Sequence, residues 1–266
     1  MEEFSIITDT KDVQNVLLKR ISAEVGNDTA VDIADNALRI KSETAEAKEK
    51  IIRAISDTII EKYGSKLLHK LINQNYFYFT PTDRRIILKK AIDYADGGET
   101  YSDMVCGKLN EYLESTDRLL LDGFVNFRLR DYRDELEDTI DKAVDDFMID
   151  KEYREFIRLL KHFVDIQEAR YEMINVVPIS GGGYLMYDGE QRDITVDCTK
   201  EFMREIDNDS INSDDLLISS LISIAPGGIC IHKTELIKNK ELIKTVEQVF
   251  GKKLTKCAGC LLCESR

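Results

Sequence analysis

The feature that most constrains the fold is a long apolar stripe in the middle of the chain. In FVNFRLRDYRDELEDTIDKAVDDFMI, which begins at Phe124, apolar side chains recur at intervals of three and four residues. The stripe consists of Val125, Leu129, Tyr132, Leu136, Ile140, Val144 and Phe147. This spacing places all of them on one face of a helix, and such a face must be buried against other elements. The sequence therefore predicts a body of packed helices.

Neighbouring segments repeat the helical period. SETAEAKEKIIRAISDTIIEKYG predicts a helix that is capped by Ser42 and ends at Gly64. Asp150 predicts the start of a further helix, EYREFIRLLKHFVDIQ. Its predicted apolar face consists of Tyr153, Phe156, Leu160, Phe163 and Val164. A tight break at Asp150 predicts that this helix packs antiparallel to the one before it.

Strand patterns occur at both ends of the chain. Residues 4–9 and 36–41 read as strands on either side of a helix that starts at Thr10 or Asp12, which predicts a small βαβ start. The runs INVVPIS and GYLMYD flank three glycines and predict a hairpin.

Near the C-terminus, GICIH, a helix and KLTKC follow one another, and this order favours a parallel strand pair. We predict an α+β fold, mainly α. Its parts are a helical body with the βαβ start over residues 1–170 and a small α/β part over residues 171–266.

Composition narrows the classes of function. The formal net charge of −13 opposes adhesion to nucleic acid or anionic lipid, so we expect neither as a partner. The start, MEEFSIITDTKD, has no secretory pattern, and the longest uncharged run, residues 216–231, is too short to span a bilayer. Six cysteines in such a chain are expected to be reduced thiols or metal ligands. These features predict a cytoplasmic protein without a membrane span.

Two dense patterns also resemble a known family. GFVNFRLRDYRDELEDTIDKAVDDFMIDKEYREFIRLLKHFVDIQ and SDDLLISSLISIAP are similar to the YtxC-like family, whose members are described as sporulation proteins of spore-forming bacteria. The resemblance covers most of the chain, including both ends. It implies a cytoplasmic role connected with spore formation. It supplies no reaction, cofactor or catalytic residue, so the candidate site rests on the residues themselves.

The candidate site lies in the tail, KCAGCLLCESR. Cys257, Cys260 and Cys263 stand at a strict spacing of three. Two thiolates in C-x-x-C can hold one metal ion, because the two-residue gap folds into a knuckle. The third cysteine matches part of the bacterial iron–sulfur run, but the usual fourth cysteine and the proline after it do not follow. A fourth ligand must therefore come from another segment.

The segment GICIH offers that ligand. Cys230 and His232 are two residues apart on a predicted strand, so both point to the same face. If this strand lies parallel to KLTKC, its carboxyl end lies beside Cys257. A zinc site would then use Cys230, His232, Cys257 and Cys260. An iron–sulfur cluster would use the three tail cysteines, with His232 or Cys230 as the fourth ligand.

Three functions stay open at this stage. The leading one is a non-catalytic, sporulation-associated protein that acts by binding an unidentified protein partner. The alternative is a metalloprotein with zinc or an iron–sulfur cluster at the tail. An enzyme with its active site between the two parts is the third, although the sequence contains neither a nucleophile motif nor a phosphate-binding motif. Reduced thiols on a chain terminus would explain the cysteines without any metal.

Overall fold

A computed structural model describes residues 2–25, 29–34, 37–42, 44–95, 99–205 and 212–264. Helices predominate, and two four-stranded sheets accompany them, which confirms the α+β, mainly α fold class. The chain divides into two compact units, residues 1–149 and 150–266. The division therefore falls earlier than the predicted boundary near residue 170. None of the helices in the described ranges combines the length and the apolar character that a membrane crossing requires.

The sheet of the first unit has the strand order β2-β3-β1-β4. Its strands are β1 (Glu2–Ile7), β2 (Thr29–Ala34), β3 (Ala37–Ser42) and β4 (Arg118–Leu120). Helix α1 (Lys11–Val25) follows β1, as the sequence predicts. The chain then adds β2, which the sequence analysis missed, so β3 returns antiparallel to β1 rather than parallel to it. The parallel neighbour of β1 is β4.

Helices make up most of the other described residues of the first unit. They are α2 (Ala45–Ile59), α3 (Ser65–Asn75), α4 (Pro81–Ala95), α5 (Glu99–Ser115) and α6 (Leu121–Phe127). The predicted cap of α2 was wrong: Ser42 ends β3, and the Oγ1 atom of Thr44 accepts a hydrogen bond from the Ala47 N–H at 3.2 Å. Thr44 has the extended backbone that a capping residue needs.

Gly64 does not end a helix, contrary to the sequence prediction. Ile60–Gly64 form a turn of π-helix that leads directly into α3. A Cβ atom at Gly64 would lie 2.9 Å from the hydroxyl of Tyr132, which is closer than real Cβ contacts allow. The glycine is therefore required for the close approach of Tyr132, not for a left-handed turn.

The predicted apolar stripe forms the centre of the first core. Its fully buried members include Tyr132, Leu136, Ile140 and Phe147. The first member, Val125, lies in α6, because the chain breaks after Phe127 before the next helix begins. Burial of each large apolar side chain contributes roughly 1.5–3 kcal/mol.

One helix, α7 (Arg130–Ile166), replaces the two antiparallel helices that the sequence suggested. The predicted break at Asp150 was wrong, because this segment contains neither proline nor glycine and Asp150 lies inside the helix. The predicted second face was also partly wrong. Ile157 and Val164 are buried in the core of the second unit, whereas Phe156 and Phe163 are exposed.

The sheet of the second unit has the strand order β6-β5-β7-β8. Its strands are β5 (Ile174–Pro178), β6 (Tyr184–Tyr187), β7 (Ile229–Ile231) and β8 (Leu254–Lys256). The hairpin β5–β6 is antiparallel, and β7 is parallel to both β5 and β8. The strand–helix–strand order in the sequence thus led to the correct pairing of β7 with β8.

Helices connect these strands and cover the sheet. They are α8 (Thr195–Glu205), α9 (Ser213–Ile224), α10 (Lys240–Phe250) and the short α11 (Leu261–Glu264). One set of strand side chains is buried in the core, and it includes Ile174, Val176, Ile229 and Ile231. Because strand side chains alternate, the residues between them, Asn175 and Cys230, lie on the other face. That face carries the candidate site.

Candidate metal centre

The parallel register of β7 and β8 brings two predicted ligands together. Ile231 lies opposite Lys256, so His232 and Cys257 leave the sheet side by side. The Cys257 N–H donates to the Ile231 carbonyl oxygen at 2.9 Å, and the His232 N–H donates to the Val176 carbonyl oxygen at 2.9 Å. Both residues are therefore held by backbone hydrogen bonds at the carboxyl ends of parallel strands, the usual location of ligand sites in such sheets.

The tail then folds back so that all three cysteines face His232. Gly259 has a φ of +128°, and its N–H donates to the Cys257 sulfur at 3.4 Å, which closes a knuckle. After Cys260 the chain enters α11, and the Cys263 N–H donates to the Cys260 carbonyl oxygen at 2.8 Å. The first three-residue spacing, Cys257 to Cys260, thus forms the knuckle. The second, Cys260 to Cys263, forms one helical turn.

The four potential ligand atoms form a compact group. Nδ1 of His232 and the sulfurs of Cys257, Cys260 and Cys263 all lie within 4.8 Å of one another. The Nδ1 atom is 3.4 Å from the Cys260 sulfur and 3.4 Å from the Cys263 sulfur. The Cys263 sulfur is 3.9 Å from that of Cys260 and 3.8 Å from that of Cys257.

These distances correspond to one tetrahedral ion. With zinc–sulfur distances of about 2.3 Å and a zinc–nitrogen distance of about 2.0 Å, two ligand sulfurs lie roughly 3.8 Å apart, and a sulfur and the nitrogen roughly 3.5 Å apart. An iron–sulfur cluster distributes its cysteines over separate irons and so requires wider spacing. The His–Cys₃ group is therefore sized for a single ion.

Cys230 does not belong to this group. Its side chain lies on the same face as Asn175 and His232, as the strand pattern predicts, but two residues before His232 along β7. Two residues span roughly 7 Å of a strand. The compact group of ligand atoms does not include the Cys230 sulfur. The structure thus places Cys263, not Cys230, with His232, Cys257 and Cys260.

His232 is suited to bind a metal in its neutral form. The residue is 2% exposed, and burial lowers the pKa of its imidazole. Its Nε2 atom lies 3.1 Å from Oδ1 of Asn175. Sequence reasoning missed Asn175, although an asparagine within the otherwise apolar strand INVVP was a signal that could have identified it.

Hydrogen bonds and burial shift the pKa values of the Cys257 and Cys260 thiols. Hydrogen bonding from the Cys263 N–H, followed by other donors nearby, lowers the pKa of Cys260. The Gly259 N–H also favours the Cys257 thiolate, but burial and the two neighbouring thiols outweigh it and raise the pKa of Cys257 to about 11. A cation at the centre would relieve the mutual repulsion of three thiolates.

Comparison with known proteins places the chain in a family. The sequence model of the YtxC-like family matches residues 49–255. The chain belongs to the YtxC-like family. An uncharacterised protein YtxC of Bacillus subtilis (strain 168) is 23% identical over an alignment 199 residues long, which covers 69% of this chain and 68% of that protein. These findings confirm the family resemblance seen in the sequence, although the matched residues begin after the βαβ start and end before the tail cysteines.

The match to the YtxC-like family covers only part of the candidate centre. It includes Asn175 and His232 and ends two residues before Cys257. No solved structure matches the chain. The case for a metal centre in this YtxC-like protein therefore rests on the geometry of His232 and the tail cysteines, independently of the family match.

Proposed function

We propose that the chain is a zinc-binding protein in which Nδ1 of His232 and the sulfurs of Cys257, Cys260 and Cys263 hold one zinc ion. The observation that carries this proposal is the compact group of four ligand atoms, whose separations fit a tetrahedron around one ion. Soft thiolates together with an imidazole are the donors that zinc prefers.

The same geometry supports a structural role for the ion. Four protein donors complete the tetrahedron and leave no position for water or substrate, which is the arrangement of structural rather than catalytic zinc sites. The ion would join the end of β7 to a tail that has few apolar contacts of its own. This favours a non-catalytic protein over an enzyme.

Metal analysis of the intact chain tests the proposal. The protein should be purified under reducing, anaerobic conditions without a metal-affinity tag. We expect one zinc per chain and no visible colour, and after exchange with Co²⁺ we expect the spectrum of a tetrahedral thiolate site. Brown protein with near-equal iron and acid-labile sulfide would instead identify an iron–sulfur cluster. Metal-free protein that binds neither ion would leave three free thiols.

Single substitutions identify the ligands. Cys260→Ser and Cys263→Ser are expected to reduce bound zinc to well below one equivalent, since each removes a thiolate from the set. Cys230→Ser is the matched control, because Cys230 lies on the same face but outside the group of ligand atoms. Zinc content is measured by elemental analysis after dialysis. Loss of zinc from Cys230→Ser with retention in Cys263→Ser would contradict the assignment.

Gly259 provides a test of the knuckle. At a φ of +128° an alanine is strained, although nothing beyond the two adjacent residues lies within 4 Å of the position of its Cβ. We expect Gly259→Ala to cost about 1–3 kcal/mol of the zinc-bound fold and to weaken zinc binding correspondingly. A competition titration with a chromophoric chelator measures the affinity, with Ala258→Ser at the exposed neighbouring position as the control. Equal affinities would show that the knuckle does not depend on Gly259.

A role in spore formation is the second proposal, and family membership supports it. We place the protein in the cytoplasm, where thiolate ligands stay reduced, and propose that it acts there by binding a protein partner. The test is the count of heat-resistant spores after deletion of the gene in the organism that makes this chain. Restoration by the wild-type gene but not by Cys260→Ser would connect the metal centre to that role. An unchanged spore count after deletion would contradict the proposal.

A further inference from the structure

We infer that Asn175 is a positioning residue that sets the tautomer of His232 and so presents a bare Nδ1 to the metal. The inference rests on the proposed zinc site for its functional consequence, whereas the tautomer itself follows from hydrogen bonds within the chain.

The orientation of the Asn175 amide is fixed by a backbone carbonyl. Its Nδ2 atom lies 3.1 Å from the carbonyl oxygen of Asp188. A carbonyl oxygen can only accept a hydrogen bond, so the NH₂ group must face Asp188 and Oδ1 must face the other way. That other side is occupied by Nε2 of His232, at 3.1 Å.

The tautomer of His232 follows from this arrangement. Oδ1 of Asn175 is an acceptor, so the Nε2 atom that faces it must carry the proton. In a neutral imidazole the second nitrogen, Nδ1, then has a free lone pair. Nδ1 is the atom that lies 3.4 Å from two of the cysteine sulfurs. The histidine is thus already in the state that a metal requires.

The anchor behind Asn175 is itself held rigidly. Asp188 is buried, and its backbone N–H donates to the Arg192 carbonyl oxygen at 3.1 Å. Its carboxylate accepts from the N–H groups of Glu190 and Arg192 and from Nε of Arg192, at 2.7 to 2.9 Å. The turn that carries the carbonyl is therefore fixed from several sides. A continuous set of hydrogen bonds leads from this turn through Asn175 to His232.

Groups that orient a metal-bound histidine typically contribute 10- to 100-fold to metal affinity. Without Asn175 the imidazole would divide between two tautomers, and one of them points an N–H at the metal position. The residue therefore holds the imidazole in the orientation and the tautomer that a metal at Nδ1 requires.

Two substitutions separate this role from a merely structural one. Asn175→Leu keeps the size of the side chain but removes the acceptor, and Asn175→Asp keeps acceptor oxygens but loses the NH₂ donor to Asp188. For the zinc-loaded full chain we expect Asn175→Leu to bind zinc about 10- to 100-fold more weakly. Asn175→Asp is expected to bind zinc more tightly than Asn175→Leu, because an acceptor oxygen still faces Nε2 although the donor to Asp188 is lost. Competition titration gives the affinities.

Long-range ¹H–¹⁵N spectra of the imidazoles provide the second readout. We expect a slowly exchanging Nε2–H of His232 in the wild type and in Asn175→Asp, and a rapidly exchanging one in Asn175→Leu. Wild-type affinity in Asn175→Leu, or equal weakening in both variants, would overturn the inference. If the wild type binds no zinc, the proposed function is wrong. The spectrum of the metal-free chain then tests the inferred tautomer of His232 separately. An Nε2–H with a bare Nδ1 supports the inference, and a proton on Nδ1 refutes it.

Discussion

Removal of the proposed zinc ion from the intact, reduced chain is expected to release β8 and the tail while the first unit stays unchanged. Among the described residues after Phe250 none is fully buried, and Leu254 alone is counted with the apolar core, as a partly buried side chain. The three-residue strand and the His–Cys₃ group therefore hold this segment in place. Structural zinc sites contribute apparent binding free energies of about 10–16 kcal/mol, far more than three strand residues can supply.

Hydrogen exchange measured by mass spectrometry tests this expectation. Peptides that cover residues 254–264 should exchange much faster after chelation, and the loss of protection should include the Cys257 N–H that is bonded to Ile231. Peptides from residues 1–149 should not change, since that unit has its own core. The Cys230→Ser protein should respond to chelation as the wild type does. Unchanged exchange in the tail would show that the metal does not hold it.

Lys151→Pro is expected to destabilise the protein by about 3 kcal/mol or more. In the continuous helix α7 this position is interior, so proline removes a backbone hydrogen bond and its ring clashes with the preceding turn. If Asp150 instead capped a new helix, Lys151 would be the first helical residue, a position where proline is well tolerated. The substitution therefore distinguishes one helix from two.

The measurement is urea unfolding followed by far-ultraviolet circular dichroism. Lys151→Ala is the matched control, since it removes the same side chain and its contacts while alanine favours the helix. We expect Lys151→Ala to stay within about 1 kcal/mol of the wild type. Equal stability of the proline and alanine variants would mean that the chain breaks at Asp150.

The sequence predicted those features that repeat with a regular period. The stripe from Leu129 to Phe147 identified the centre of the first core, because each member lies one helical turn from the next. Boundaries were harder to predict. Asp150 has the chemistry of a helix cap, yet no proline or glycine interrupts the chain there, and tertiary packing on both sides sustains one helix. Gly64 was wrongly predicted to end a helix. Its lack of a side chain instead leaves room for Tyr132, which is distant in the sequence.

The candidate site shows the same division between local pattern and tertiary detail. Strand alternation correctly placed His232 on the face that receives the tail, and the parallel order of β7 and β8 placed it beside Cys257. The sequence could not decide between Cys230 and Cys263, because that choice depends on how far the tail folds back. Asn175 was missed because its role appears only when β5 and β7 pair and bring it to His232.

The register of β7 with β8 has a consequence for quality control during folding. Side chains alternate along a strand, so a shift of β8 by one residue would bring Lys256 or Ala258 to the place beside His232 that Cys257 occupies. A chain with such a pairing error could not complete the four-ligand set. Capture of the ion by all four ligands would therefore act as a checkpoint that only correctly paired chains pass.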